Sequence, residues 1–248
     1  MKATWARLEL AARRALRRIE GVRDRKWGIR TSDEIELAAL GAEGSDRNPY
    51  APSRWSTLEK ILPPAEVTAK DVFLDLGCGM GRVLLVAASR YRFRAVIGVE
   101  VSAELCEIAR ANVVAARSRL VCEDVQVVEA DVLDYNVPDD VSVVFIYNSF
   151  GGHVFAHVVD GLVASFDRNP RDLRIVYHNP VEEAALLATG RILPIRAALE
   201  FKLTPDFDSW RSLRMYVVGS PSVRDVADGT PSMVENWSSG AHTDRARP

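Results

Sequence analysis

The residues with the clearest chemical potential form a glycine loop in the first third of the chain. The segment Val72–Gly81 reads VFLDLGCGMG, an apolar run followed by glycines at alternate positions and then by a helical pattern. Glycine adopts positive φ and lets a ligand lie close to the backbone. Such a turn between a buried strand and a helix predicts a ligand site at the carboxyl end of the strand. We expect Gly77, Cys78, Gly79 and Gly81 to hold that ligand; the alternative is a tight turn alone.

Asp75, directly before the glycines, indicates which class of ligand is held. A pyrophosphate on the helix N-terminus would be repelled by this carboxylate, whereas a cation would be attracted. Arg82 also stands where a dinucleotide fingerprint has its third glycine. S-adenosylmethionine carries no phosphate, and it has a cationic amino group and a sulfonium. The pattern therefore favours S-adenosylmethionine over a dinucleotide.

Two further acids follow later strand patterns. Glu100 ends the second strand and can accept hydrogen bonds from both ribose hydroxyls. NAD enzymes use the same arrangement, and a helix-start acid is an alternative interpretation. Asp131 ends the third strand and can accept from the adenine amine, while the backbone N–H of Val132 can donate to a ring nitrogen. We expect all three residues to bind the nucleoside.

The elements that must position these residues alternate along the middle of the chain. Strand patterns cover residues 72–77, 94–100, 124–131, 141–148, 173–179, 192–203 and 212–218, and helical patterns cover 55–62, 80–91, 153–166 and 181–189, with Ser102 capping another helix. Alternation predicts an α/β fold with a doubly wound, mostly parallel sheet flanked by helices. The last two strands have no helix between them, which predicts a C-terminal hairpin with an antiparallel strand at or near the sheet edge.

Composition and charge set the domain organisation and the compartment. The 248 residues carry a formal net charge of -2 and are 48% hydrophobic, enough for one domain with a sizeable core. We predict a basic helical N-terminal extension at 1–45, an S-adenosylmethionine-binding domain at 46–219 and a flexible polar tail at 220–248. The extension either packs on the domain or docks on an anionic partner. Three cysteines without pair spacing, no apolar run that could span a membrane and no signal core predict a cytoplasmic protein.

Together, Asp75–Gly81, Gly98–Glu100 and Glu129–Asp131 resemble the class I S-adenosylmethionine-dependent methyltransferases in order and spacing. The resemblance covers about residues 50–218. It implies a Rossmann-like, seven-stranded sheet whose last strand is reversed. The segment Val143–Gly151 shows a weak local similarity to the non-SET histone-lysine methyltransferases. It also loosely resembles the Asn-Pro-Pro-Tyr turn of amino-group methyltransferases, but it has Ser149 and Phe150 in place of the prolines.

Asn148 and Tyr147 are the catalytic candidates because they end the fourth strand, beside the expected donor methyl. The Asn148 amide oxygen could accept from an amine or hydroxyl nucleophile, or the residue could simply cap a helix; Tyr147 could line the pocket or belong to the core. By resemblance, the loop with Tyr50 and Ser53 folds over the cofactor, although turn chemistry explains it equally well. His178 could be a general base or a packed histidine.

The sequence therefore predicts a methyltransferase that uses S-adenosylmethionine and transfers a methyl group to a nitrogen or oxygen of a small metabolite or a protein side chain. The alternatives are a nicotinamide-dependent oxidoreductase and a non-catalytic S-adenosylmethionine-binding module. His153 and His157 lie four residues apart but have no third ligand in view, so we expect no metal. The balanced charge and lack of a basic-aromatic array argue against a nucleic-acid substrate. The acceptor and the oligomeric state stay open.

Overall fold

The computed structural model describes residues 20–33, 35, 46–199 and 212–220. Residues 20–27 are helical, and twelve helices and strands follow them along the described chain, apart from two short 3-10 turns. They are α1 (Thr57–Ile61), β1 (Val72–Leu76), α2 (Arg82–Arg90), β2 (Ala95–Glu100), α3 (Ala103–Ala116), β3 (Val125–Glu129), β4 (Val143–Tyr147), α4 (Gly152–Arg168), β5 (Arg174–His178), α5 (Glu183–Ala188), β6 (Ile192–Leu199) and β7 (Ser212–Val218).

The strands form one sheet in the order β3-β2-β1-β4-β5-β7-β6. Strands β1 to β5 are parallel, and β7 runs antiparallel to both β5 and β6. The predicted fold class is confirmed, with the reversed strand one position in from the edge and β6 on the edge itself. The strand order reverses between β1 and β4. In doubly wound sheets a ligand crevice opens at the carboxyl ends of the strands at this point.

Burial on both faces explains why the central strands are continuous apolar runs. Every residue of β1 and β2 is buried, as expected for parallel strands covered by helices on each side. The two faces of β1 divide the core: Leu74 and Leu76 pack into the cluster that contains Phe155 of α4, whereas Phe73 packs with Leu84 of α2. Each such side chain stabilises the fold by about 1.5–3 kcal/mol relative to exposure.

Local backbone chemistry sets the helix starts. The helix predicted from residue 80 begins at Arg82, because Gly81 has φ 79° and forms its N-cap. The predicted cap of α3 is confirmed, since the Ser102 hydroxyl accepts from the Leu105 N–H at 3.4 Å. The helix predicted from residue 181 begins at Glu183, after Asn179 in a left-handed conformation and Pro180.

Residues 20–33 of the predicted N-terminal extension lie against the α/β unit. The Trp27 and Trp55 rings are 5.3 Å apart, and the Asn112 side chain hydrogen-bonds the backbone N–H and carbonyl of Arg30. Residues 1–19, residues 200–203 of the predicted sixth strand and the tail from 221 lie outside the described residues. The domain boundaries therefore remain predictions. Within the described ranges, no helix is both long and apolar enough to cross a membrane.

Candidate functional site

A cavity of about 430 Å³ opens at the carboxyl ends of β1 to β5. It lies at the point where the strand order reverses, as the topology leads us to expect. Ten of the twelve residues that the sequence singled out line it: Tyr50, Ser53, Asp75, Gly77, Cys78, Glu100, Asp131, Val132, Tyr147 and Asn148. The structure therefore brings residues from four strand ends and one preceding loop into a single site.

Gly79 and Gly81 do not line the cavity; they allow neighbouring residues to pack closely against the loop. Gly79 has φ 54°, and a Cβ at this position would overlap the Tyr50 ring. Its backbone N–H donates to Glu100 Oε2 at 2.9 Å. Gly81 makes the left-handed turn into α2 and packs closely against Ala109. The glycines thus let an aromatic side chain and a neighbouring helix approach the loop.

Asp75 and Glu100 form a buried acidic pair on one side of the cavity. Asp75 is 3% exposed, and within the described residues no hydrogen bond or ion pair reaches its carboxylate. Burial, together with the neighbouring Glu100, raises the pKa of Asp75 well above its ordinary range. Burial also raises the pKa of Glu100, against the effect of the backbone N–H groups of Ser102 and Gly79 that donate to it. A cationic ligand would relieve this desolvation.

Asp131 and Val132 lie on the far side of Glu100. Asp131 Oδ1 accepts from the Leu133 N–H at 3.1 Å, and Oδ2 accepts from the Arg47 guanidinium at 2.5 Å. The Val132 N–H has no hydrogen-bond partner among the described residues. No sequence signal marks Arg47, because it lies 84 positions before Asp131 and only the fold brings the two residues together.

The segment 46–53 forms the roof of the cavity. The backbone N–H of Asn48 donates to the Ser149 carbonyl, and the Asn48 side chain donates to the Asn148 carbonyl at 2.7 Å. Tyr50 donates its hydroxyl to the Thr31 carbonyl at 3.0 Å, which fixes its ring above Gly79. These contacts attach the roof both to the end of β4 and to the segment 20–33.

Arg82 anchors the roof from below, a role that sequence reasoning missed. Its guanidinium, 3% exposed, donates to the Ser53 carbonyl at 2.9 Å and to the Thr31 hydroxyl at 2.8 Å. It also lies 3.4 Å from Glu20 and 3.8 Å from Asp24. A guanidinium has five donors in a fixed plane, which suits it to tie several segments together. The signal available in the sequence was a charged residue at a position where loops of this kind often have glycine.

Two asparagines line the other side of the cavity. Asn148 follows β4 and Asn179 follows β5, and both have left-handed backbones, with φ 43° and 56°. Before them, the Tyr147 and His178 rings are stacked with their centroids 4.0 Å apart. His178 is buried, and its Nδ1 lies 3.4 Å from the Ser53 hydroxyl. Tyr147 thus lines the cavity while it packs against His178.

The two asparagine side chains have the same hydrogen-bonding state. The Oδ1 atoms of Asn148 and Asn179 are buried and have no hydrogen-bond partner among the described residues. Neither side chain caps a helix there: α4 has Gly151 at its N-cap, and α5 has Glu182. The capping alternative for Asn148 is therefore wrong. Buried acceptors of this kind fit a hydrogen-bond donor that arrives with a ligand.

Residues 73–169 match the family model described as a methyltransferase domain. This match marks residues 73–169 as a methyltransferase domain. A protein-lysine N-methyltransferase of Saccharolobus islandicus (strain REY15A) is 35% identical over 65 residues, which are 26% of this chain and 40% of that relative. The chain thus spans less than half of the relative's length in this match.

Several solved methyltransferase structures are similar to this chain at low sequence identity. The B. subtilis M1A22 tRNA methyltransferase TrmK is 17% identical, with 68% of each chain covered and a TM-score of 0.49. The geranyl diphosphate C-methyltransferase of Streptomyces coelicolor A3(2) is 15% identical, with 62% of this chain and 75% of that chain covered and a TM-score of 0.46.

S-adenosylmethionine is the methyl donor of this class, and the groups present in the methyltransferase domain fit it. The Asp75 carboxylate suits a cationic amino group. Each Glu100 oxygen accepts one backbone N–H and keeps lone pairs for a ribose hydroxyl. The Val132 N–H suits an acceptor nitrogen of the adenine ring. The buried acids also disfavour a ligand with a pyrophosphate at this loop.

Proposed function

We propose that this chain transfers a methyl group from S-adenosylmethionine to an amine nitrogen, and that the acceptor is a lysine side chain of a protein. The observation that carries the proposal is that two neighbouring strands bring two different unpaired groups to one cavity. Asp75, on β1, has no hydrogen bond or ion pair among the described residues, and Asn148, just after β4, has an amide oxygen without a partner among them. The first group suits a cationic donor, and the second suits a nucleophile that carries a hydrogen; we call the ends of β1 to β3 the donor end of the cavity and the ends of β4 and β5 the acceptor end.

At the donor end, Asp75 binds the amino group, Glu100 binds the ribose, and Asp131 and Val132 bind the adenine. Gly77 and Cys78 bring the backbone of the loop against the ligand, and Tyr50 and Ser53 cover it from the roof. When bound, the cofactor would supply a methyl group on a cationic sulfur. The lone pair of the neutral amine would form the new N–C bond, the C–S electron pair would return to sulfur, and the ammonium product would lose its extra proton to water. The leaving group is neutral, so this end needs no oxyanion-stabilising donors.

At the acceptor end, Asn148 orients the nucleophile. Its Oδ1 accepts an N–H of the amine, which fixes the direction of the nitrogen lone pair, and Tyr147 forms the wall beside it. Positioning of this kind is the main contribution a protein makes to such a displacement, up to roughly 7–11 kcal/mol in the best intramolecular cases. The roof over the cavity excludes water from the amine, which otherwise competes for its lone pair.

The protein-lysine acceptor is supported by the relative from Saccharolobus islandicus, which is named as a protein-lysine N-methyltransferase. A lysine amine is also the right chemical partner for a neutral amide oxygen. Its long apolar stem could pass the Tyr147 ring while only the nitrogen reaches Asn148. A small metabolite is the competing acceptor class, and it would use the same nitrogen contact.

Two experiments test the proposal. Calorimetric titration with S-adenosylhomocysteine and, separately, with NADH tests the donor end: binding of S-adenosylhomocysteine alone is expected, and binding of NADH alone would refute it. Transfer of labelled methyl groups to a set of lysine-containing peptides, with norleucine in place of lysine as the control, tests the acceptor. Label on neither peptide set, in a chain that binds S-adenosylhomocysteine, would refute the lysine acceptor and favour a metabolite or a non-catalytic module.

A further inference from the structure

We infer that Asn179 acts together with Asn148 as a two-point acceptor for a primary amine, and that this pair limits transfer to one methyl group per nitrogen. The inference rests on the proposed function and specifies the acceptor of that same site. It assigns a substrate-binding role to Asn179, and it predicts the extent of methylation.

The sheet register places the two asparagines side by side. Strands β4 and β5 are parallel neighbours, and Tyr147 pairs with His178 at their last residues. Asn148 and Asn179 are the next residues of the two strands, and both turn into the left-handed region. Non-glycine residues rarely adopt positive φ, and asparagine is among the few that tolerate it. The same unusual conformation thus recurs at two adjacent strand ends that line one cavity.

The hydrogen-bonding state of the pair points to a ligand. Within the described part of the chain, six buried side-chain nitrogen and oxygen atoms lack a hydrogen bond, and the two oxygens among them are Asn148 Oδ1 and Asn179 Oδ1. Asn179 is only 3% exposed. Buried polar atoms are nearly always paired in folded proteins, so two orphaned acceptors on residues that line one cavity point to a ligand that brings two donors.

Counting donors identifies the class of that ligand. A hydroxyl offers one hydrogen and leaves one asparagine oxygen unpaired, whereas a primary amine offers two. With both N–H groups held, the amine lone pair points away from the asparagines. A monomethylated amine has one N–H left, so one buried acceptor again lacks a donor. The second transfer is therefore slower than the first by roughly 5- to 150-fold, the range expected when a buried acceptor loses its partner.

Glycine variants test this pair without straining the backbone, because glycine adopts positive φ freely. For Asn179→Gly we expect unchanged S-adenosylhomocysteine affinity within about twofold and a roughly 5- to 150-fold lower kcat/KM for an unmodified lysine peptide. The kcat/KM for the monomethylated peptide should fall much less. The ratio of kcat/KM for the unmodified peptide to kcat/KM for the monomethylated peptide should therefore approach one. An equal loss on both peptides indicates a purely structural role for Asn179 and overturns the inference.

A binding measurement gives a readout that does not need turnover. The side-chain amide signals of the ¹⁵N-labelled chain, saturated with S-adenosylhomocysteine, are followed during titration with Nα-acetyl-lysine amide. The two glycine variants assign the signals, because each variant lacks the side-chain amide signals of the residue it replaces. In the unsubstituted chain, the lysine compound should shift the signals of both Asn148 and Asn179, whereas Nα-acetyl-norleucine amide should not shift them. Shifts confined to the Asn148 signals overturn the two-point contact while the proposed function stands. A chain that binds no S-adenosylhomocysteine instead refutes the proposed function itself.

Discussion

Replacing Asp75 with asparagine should weaken cofactor binding and stabilise the ligand-free protein at the same time. The substitution keeps the shape of the side chain, so it removes the charge without opening a cavity. Asp75 has no hydrogen bond or ion pair among the described residues, and burial raises its pKa well above the ordinary value of 3.8. We therefore expect the carboxylate to destabilise the empty site and to contribute only when a cation binds beside it.

The magnitudes follow from these two roles. A hydrogen bond to a charged group contributes about 1.5–3 kcal/mol, so Asp75→Asn should weaken S-adenosylhomocysteine binding by roughly 10- to 150-fold. For stability, the folded-state pKa of Asp75 is raised, so the folded protein binds the proton more tightly than the unfolded chain does. Between pH 3.8 and that raised pKa, the wild type should lose about 1.4 kcal/mol of unfolding free energy per pH unit through this group.

Urea unfolding across a pH series and calorimetry in two buffers of different ionisation enthalpy measure both effects. The wild type should release a proton from Asp75 when S-adenosylhomocysteine binds, and Asp75→Asn should lack this release. The decrease in stability with rising pH should be less steep in the variant, with Glu100 contributing equally to both proteins. Unchanged affinity would show that Asp75 does not contact the amino group, and a less stable variant would show that the carboxylate supports the fold.

Three further substitutions test the roof and the acceptor end. Arg47→Met should tighten S-adenosylhomocysteine binding about two- to fivefold, because the adenine amine no longer competes with a partly exposed ion pair; weaker binding in calorimetry would mean that Arg47 contacts the ligand. Arg82→Met should lower the free energy of unfolding by about 3–5 kcal/mol, because it leaves buried partners unpaired. The control Arg94→Met removes an exposed ion pair and should change the free energy of unfolding by less than about 1 kcal/mol. Equal losses for the two variants in urea unfolding would contradict the anchoring role of Arg82. Asn148→Gly should lower kcat/KM for a lysine peptide roughly 10-fold or more at unchanged S-adenosylhomocysteine affinity; normal transfer rates would remove Asn148 from the site.

The donor end was more predictable from the sequence than the acceptor end. The loop at Gly77 and the acids Asp75 and Glu100 lie at strand ends that periodicity locates directly, and parallel strands bring such ends to one edge. Contacts that cross the sheet or come from the roof depend on tertiary structure. Arg47 reaches Asp131 only through the bridge between the roof and Phe150. The pairing of Asn148 with Asn179 depends on the register between β4 and β5, which could not be predicted from the sequence.

The acceptor end also shows why buried polar groups identify a site better than residue type does. Asn112 is as buried as Asn179, at 3% exposure each. The Asn112 oxygen accepts from the Arg30 N–H, and its amide donates to the carbonyls of Arg30 and Met80, so it stabilises the fold. The Asn179 oxygen has no such partner among the described residues. An apolar side chain of the same shape would avoid the free-energy cost of burying an unpaired oxygen. A protein keeps such an atom where a ligand pairs with it, and the left-handed backbone recurs at the two adjacent strand ends that carry these oxygens.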